Sequence, residues 1–273
     1  MAGLLCFGSN FDAASAPSEP LYVGDVNGVL GTVDIATGDV TVVGNTGLRS
    51  NLTDIAFQNG VLYGTTPTGL YSIDRITAAS TFIASYGGVG RGAINALVGS
   101  TGSTLYAASG STGQIYAIAT DGAIAPLAGF TSAVSAGDLA FAGGTLYESA
   151  YPGGGFADRL IRITLSGDAF SATPIRDFTT DGEQLSAVYG LAQGDDGMTY
   201  AVNGTRIYSV DLTTAELTLV SDYAGHGLGL AYGAAFASES PSPPSTPVPE
   251  PASMALVSIA LIGLGLTGRR REI

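Results

Sequence analysis

The chain is poor in the residues from which reactive centres are most often built. It holds one cysteine (Cys6), one histidine (His226) and no tryptophan. A lone thiol excludes an internal disulfide and any multi-thiolate metal site, and a lone imidazole excludes a histidine cluster. Positive charge is scarce too: ten Lys and Arg stand against 23 Asp and Glu, a formal net charge of −13. Three of the ten cations, Arg269, Arg270 and Arg271, sit together at the C-terminal end, so the rest of the chain is more acidic still. Affinity for nucleic acid depends on Lys and Arg displacing counterions from phosphate, which argues against a nucleic-acid partner. Charged residues make up only 12% of the chain and hydrophobic residues 45%, enough for a large core and against disorder along most of the length. Glycine, by contrast, is plentiful. Its 40 residues are about twice the average usage. They lie without collagen period between short apolar runs, as closely spaced turns require.

The length of 273 residues suits one large all-β domain or two smaller ones, and an internal repeat decides how it is organised. A Leu-Tyr pair recurs at Leu21-Tyr22, Leu62-Tyr63, Leu105-Tyr106 and Leu146-Tyr147, with a weaker copy at Thr199-Tyr200. The tyrosines stand 41, 43, 41 and 53 residues apart, within or near the period of propeller blades. Ahead of the last four pairs lies a second signature: Asp54-Ile55-Ala56-Phe57, Asn95-Ala96-Leu97-Val98, Asp138-Leu139-Ala140-Phe141 and Gly190-Leu191-Ala192-Gln193. Asn59-Gly60, Thr101-Gly102, Gly143-Gly144 and Asp195-Asp196-Gly197 separate signature from pair, residues suited to hairpin turns with positive φ. A third apolar run follows each pair, as in Leu70–Asp74 and Ile207–Asp211, and a weaker fourth closes the unit, as in Val40–Val43 and Leu217–Ser221. Four short strands joined by hairpins describe a blade. Adjacent strand residues face opposite sides, so Leu and Tyr are both buried only if sheets stack on both faces. The first unit lacks an inner strand, and Gly229-Leu230-Ala231-Tyr232 is an inner-strand signature with no unit after it. Together they predict ring closure by the last strand and an all-β propeller of about five blades over residues 21–236. A missing N-terminal stretch would raise the number to six or seven. A two-sheet sandwich is the runner-up but gives no reason for a four-strand period.

The signatures align Asp54, Asn95, Asp138, Gly190 and Gly229 near the central channel. Two carboxylates and an amide converging there would suit Ca²⁺; alternatively each side chain accepts backbone amides at a strand start. Asp195-Asp196-Gly197 lacks the twelve-residue pattern of a calcium loop and reads as a turn. Asp34, Asp74 and Asp211 end third strands and start the next turn. His226 sits in a Gly-His-Gly loop with no Ser or Cys nucleophile motif beside it. The insertion Tyr151–Phe156 lengthens one blade, and aromatic loops of this kind form either binding rims or variable tips. The repeat grammar looks like that of several propeller families, sugar-lactonase-like ones included, but fold similarity does not transfer chemistry. The expectation is a non-enzymatic binding or matrix protein without a cofactor. A propeller hydrolase or lactonase with a cation in the channel is the alternative.

Both ends differ in character from the middle. Residues 1–20 end an A-x-A-like pattern at Ala14-Ser15-Ala16 but carry no basic residue and only a short apolar run. They read as the remnant of an export leader, or as disordered. Residues 237–248 lead through a Pro/Ser-rich stretch, an extended semi-rigid spacer. Ala252 to Thr267 carries no charge: sixteen residues at 1.5 Å give roughly 24 Å of helix, somewhat short of a bilayer core of about 30 Å. Arg269, Arg270 and Arg271 extend the reach by snorkelling and place the C-terminus in the cytoplasm. Length alone also permits a buried core helix, but such a helix seldom follows a proline-rich spacer and ends the chain in arginines. The expectation is a transmembrane helix.

This order resembles the PEP-CTERM sorting signal over residues 249–273. Pro249, Glu250 and Pro251 match the Pro-Glu-Pro motif, residues 252–267 the hydrophobic span, and Arg269 to Arg271 the basic cluster. The resemblance implies that an exosortase, a membrane-embedded transpeptidase-like enzyme of Gram-negative bacteria, reads the tail. It also implies passage through the inner membrane to the cell surface or extracellular matrix, alongside exopolysaccharide. On that reading Pro249, Glu250 and Pro251 are recognition residues for another enzyme.

Overall fold

A computed structural model describes residues 16–49, 52–87, 93–155 and 157–239. Among them, five four-stranded antiparallel sheets follow one another along the chain. The first blade holds β1 (Leu21–Asp25), β2 (Val29–Val33) and β3 (Val40–Asn45), and the second β4 (Asp54–Gln58), β5 (Val61–Thr66), β6 (Gly69–Ile73) and β7 (Ser80–Ser85). The third is β8 (Ile94–Val98), β9 (Thr104–Ser109), β10 (Ile115–Ala119) and β11 (Ile124–Pro126); the fourth is β12 (Val134–Ala142), β13 (Thr145–Tyr151), β14 (Arg159–Ser166) and β15 (Ala169–Asp177). A two-stranded hairpin, β16 (Thr179–Thr180) and β17 (Glu183–Gln184), precedes the fifth blade of β18 (Val188–Gln193), β19 (Thr199–Asn203), β20 (Arg206–Val210) and β21 (Leu217–Asp222). The last strand, β22 (Ala231–Ala235), returns to pair with β1, Tyr22 opposite Ala235 and Val23 opposite Ala234. This closes the ring, so no inner edge is left unpaired.

Five apolar clusters fill the five gaps between blades, and the Leu-Tyr pair serves two gaps at once. Leu62 packs with Leu30, Ile55 and Ala235 toward the first blade, while Tyr63 packs with Leu97, Leu105 and Tyr116 toward the third. Leu146 and Tyr147 divide in the same way between the third and fifth blades. The period-2 alternation of a strand thus explains why two adjacent residues are both retained. Turn chemistry follows the sequence at most positions. Asn59-Gly60 has φ of 51° and 78°, and Gly143-Gly144 has 56° and 79°. Thr101 and Gly102 are absent from the positive-φ residues, so that turn is of another type. The outer turns also repeat: Asp34, Asp74 and Asp211 each accept two backbone amides, two and three residues on, at 2.7–3.2 Å. The following αL position is Gly38 in one copy and Ala78 and Ala215 in the others.

Three departures from the sequence reading matter. The extra hairpin β16–β17 accounts for the long spacing before the fifth blade; its Asp181-Gly182 turn has φ of 51° and 81°. Residues 16–20, read as leader or disorder, include ordered contacts: the Ser18 amide donates to Asp195 at 2.9 Å, and the Ser238 amide to Glu19 at 3.1 Å. The closing signature also slides by four residues. Strand pairing puts Gly233-Ala234-Ala235-Phe236, not Gly229-Leu230-Ala231-Tyr232, in register with Asp54-Ile55-Ala56-Phe57. Among the described residues no helix is long and apolar enough to cross a membrane. The expected transmembrane segment, Pro249 to Pro251 and Arg269 to Arg271 lie outside the described residues.

Candidate functional site

The inner strands β22, β4, β8, β12 and β18 surround the axis, and register assigns each one residue at a common depth. Matching the partner of each blade's tyrosine gives Gly233, Asp54, Ala96, Asp138 and Gly190. Asn95 is not in this ring. Its register places it just before the axial Ala96, in a bulge that β12 and β18 also make ahead of Asp138 and Gly190, and a single-residue offset sends a side chain to another face. Its amide nitrogen instead donates to the Ser135 carbonyl of the next blade at 3.0 Å. Asp54 and Asp138 meet at the axis, and both are fully buried.

Their oxygens are used in one repeated pattern. Asp54 accepts the amide of Ile55 on its own strand at 2.7 Å and that of Leu97 on the next blade at 2.5 Å. Asp138 accepts Leu139 at 2.6 Å and Leu191, again one blade on, at 2.6 Å. The Ala234 amide also supports Asp138, so the five equivalent amides of the five inner strands all point to two carboxyl groups. A buried N–H without an acceptor is costly, and the narrow axis of a five-bladed ring brings five of them together. The two aspartates satisfy them, and the positions between carry Gly233, Ala96 and Gly190. A Cβ on Gly233 would lie 2.3 Å from Asp54 Oδ1 and 2.6 Å from its Cα. The carboxyls are also hydrogen-bonded to each other. Burial, first of all, raises both well above the ordinary carboxylate range, and for Asp54 the Asp138 charge adds to it. The pair therefore keeps a shared proton where isolated aspartates would have lost theirs.

At one end of this axis the chain passes beside a hollow of about 330 Å³ lined by Ser100, Phe141, Gln193 and Glu239. Ala237–Glu239 form a single 3-10 turn, and Glu239 Oε1 accepts the Gln193 amide at 3.1 Å. The other end carries a mouth. The residue just before each axial position forms the mouth: Tyr232, Thr53, Asn95, Gly137 and Tyr189 line a hollow of about 190 Å³. Tyr189 and Tyr232 meet edge to face at 5.9 Å and 84°. Gly137 lets Tyr189 approach, since a Cβ there would sit 3.0 Å from its ring. A second hollow of about 370 Å³ shares Asn95 and Tyr189 and runs outward past Ser135, Tyr151 and Asp158. Tyr151 belongs to the insertion that the sequence left open as a binding rim or a variable tip; Asp158 and the tyrosine pair carry no sequence signal of their own. Asp158 Oδ2 accepts the Val188 amide at 2.9 Å, and burial pushes its carboxyl up to about 6. His226 stays a loop residue, its Nδ1 3.8 Å from Asp39. Among the described residues no group of three or more His, Cys, Asp or Glu is arranged to hold a metal ion.

Comparison with known proteins bears on the tail and on the fold separately. Residues 247–271 match the model of the PEP-CTERM protein-sorting motif. The chain carries a PEP-CTERM sorting signal. The motif implies an exported protein, sorted by an exosortase on its way through the membrane to the cell surface. No curated protein matches the chain. Among solved structures, a structural genomics protein of unknown function from Bacteroides thetaiotaomicron aligns with TM-score 0.51 at 14% identity, over 83% of this chain and 66% of that one. A glutaminyl cyclase from Myxococcus xanthus (TM-score 0.49, 14% identity, 89% and 78% covered) and a gluconolactonase from Xanthomonas campestris (0.48, 14%, 80% and 77%) are similar at the same low identity. The first likeness shows the fold alone, and the other two carry no argument. The PEP-CTERM match covers only the tail, so the propeller's own role has to be argued from its site.

Proposed function

We propose that this PEP-CTERM protein is a non-enzymatic binding propeller, processed by an exosortase and presented at the surface or in the matrix of a Gram-negative cell. Exopolysaccharide or another matrix component is its partner, and the tyrosine-lined mouth is its recognition surface. The observation that carries this reading is the use made of the axial carboxylates. A channel enzyme of the hydrolase or lactonase kind needs convergent oxygen ligands and a base free to act. Here Asp54 and Asp138 turn their oxygens to backbone amides, and Asn95 stands outside the ring. Amide donors and a cation compete for the same lone pairs, so the arrangement favours a structural role over a Ca²⁺ site. The mouth, by contrast, combines aromatic faces with a few polar groups in an open hollow, the usual composition of a small-ligand site.

The sorting half of the proposal is tested in cells that carry the exosortase. The full chain is expected at the surface with a mass lowered by loss of the segment after Pro249-Glu250-Pro251. A chain truncated after Val248 is expected to lose surface retention. Surface retention of the truncated chain, or an intact mass for the full chain at the surface, would contradict it.

A further inference from the structure

The outward cleft beside the mouth is electrically one-sided. Its wall carries the Asp158 carboxylate, and none of its lining residues is Lys, Arg or His. Two further polar atoms belong to the same lining: Asn95 Oδ1 and Ser135 Oγ are buried and have no hydrogen-bond partner. Ser135 is only 3% exposed, so water does not readily compensate its hydroxyl. A buried acceptor left unmatched costs free energy in the empty protein, and its lone pairs add to the negative potential of the adjoining carboxylate. The lining also includes Tyr151 and Tyr189, aromatic rings whose π faces are negative as well and attract cations. Nothing in this lining supplies the positive charge that a uronate, sulfate or phosphate would require.

From this juxtaposition we infer that the cleft takes a protonated amine carried on a saccharide ring, that is, an amino sugar with a free ammonium group. The ring lies against Tyr189 and Tyr151, and the ammonium, which has three donors and no acceptor, faces Asp158. Both hollows together offer room in the range of small-molecule sites. The inference rests on the mouth being a binding surface and adds the charge of what binds there.

Isothermal titration of the full-length protein in mild detergent, with glucosamine, glucose and N-acetylglucosamine as probes, separates the two claims. Glucosamine is expected to bind at least about tenfold more tightly than either neutral sugar. Asp158→Asn keeps an oxygen for the Val188 amide and is expected to bring that ratio to about one. Tyr151→Leu, at the exposed end of β13, is expected to weaken all three sugars alike. Equal binding of glucosamine and glucose to the native protein would overturn the charge inference and leave the mouth as a binding surface. Failure of all three to bind would overturn both. The native ratio decides the matter even if Asp158→Asn does not fold.

Discussion

Asp138→Ala is expected to destabilise the propeller by about 3 kcal/mol or more, because the substitution strips acceptors from buried amides on two blades. Leu139 and Leu191 each lose their only carboxylate partner, and Ala234 loses its share. Each buried N–H left without a partner costs roughly 1–3 kcal/mol. The penalty has a pH signature that a simple packing defect lacks. Both axial carboxyls have folded-state pKa values raised above those of the unfolded chain. Above about pH 4 the folded state therefore binds more protons than the unfolded state, and native stability falls as pH rises. The stabilisation is fully present below about pH 4 and is lost on the way up through the folded-state values. Urea unfolding of native and variant protein should thus show the gap between them narrowing as pH rises from 5 to 8. A gap that widens with pH would contradict the shared proton.

Glu148→Leu is expected to act in the opposite direction and to stabilise the protein. Glu148 sits mid-strand in β13, opposite Leu139 and Ile161, on the face that packs into the apolar gap between the third and fourth blades. It is 0% exposed, and neither carboxyl oxygen has a hydrogen-bond partner. The equivalent positions of the other blades are Val23, Gly64, Ala107 and Ala201, all apolar. Burial pushes the Glu148 carboxyl from 4.5 up to about 8. A raised folded-state value again means stability complete below about pH 4.5 and lost progressively as pH climbs to about 8. A rise of that size is worth on the order of 4–5 kcal/mol. Leucine removes both the proton requirement and the unpaired oxygens at similar volume. Thermal midpoints of the variant are expected to exceed the native ones, with the difference growing from pH 5 to pH 8. A constant or shrinking difference would show that Glu148 finds a partner in solution.

The two cases show what the sequence made legible and what it hid. Period, strand order and the double use of the Leu-Tyr pair follow from alternation and turn residues, both local properties, and they survive almost unchanged in the structure. The equivalent register of Asp54 and Asp138 follows from the same alternation. The place of Asn95 does not, because similarity of side chain aligned it with two aspartates, whereas strand register makes it the equivalent of Gly137 and Tyr189, one residue ahead of the axis. The closing strand was misplaced by four residues since Gly229-Leu230-Ala231 mimics the signature that Gly233-Ala234-Ala235 fulfils through its pairing with β1. Bulges and long-range pairing leave little trace in a single sequence. The mouth was missed because Tyr189 and Tyr232 lie one residue ahead of the axial positions, where no pattern marks them. Only closure of the ring brings them within 5.9 Å of each other. Glu148 is invisible for a different reason: one acid in a strand looks solvent-facing until the next blade covers it.

The axis as a structural pin, with recognition left to the mouth, is tested most directly by ¹³C NMR of the aspartate side-chain carboxyls during Ca²⁺ addition to the full-length protein. The predicted result is that the Asp54 and Asp138 resonances hold their positions as Ca²⁺ rises to millimolar levels. Saturable movement of both resonances would contradict the account and restore a cation to the channel.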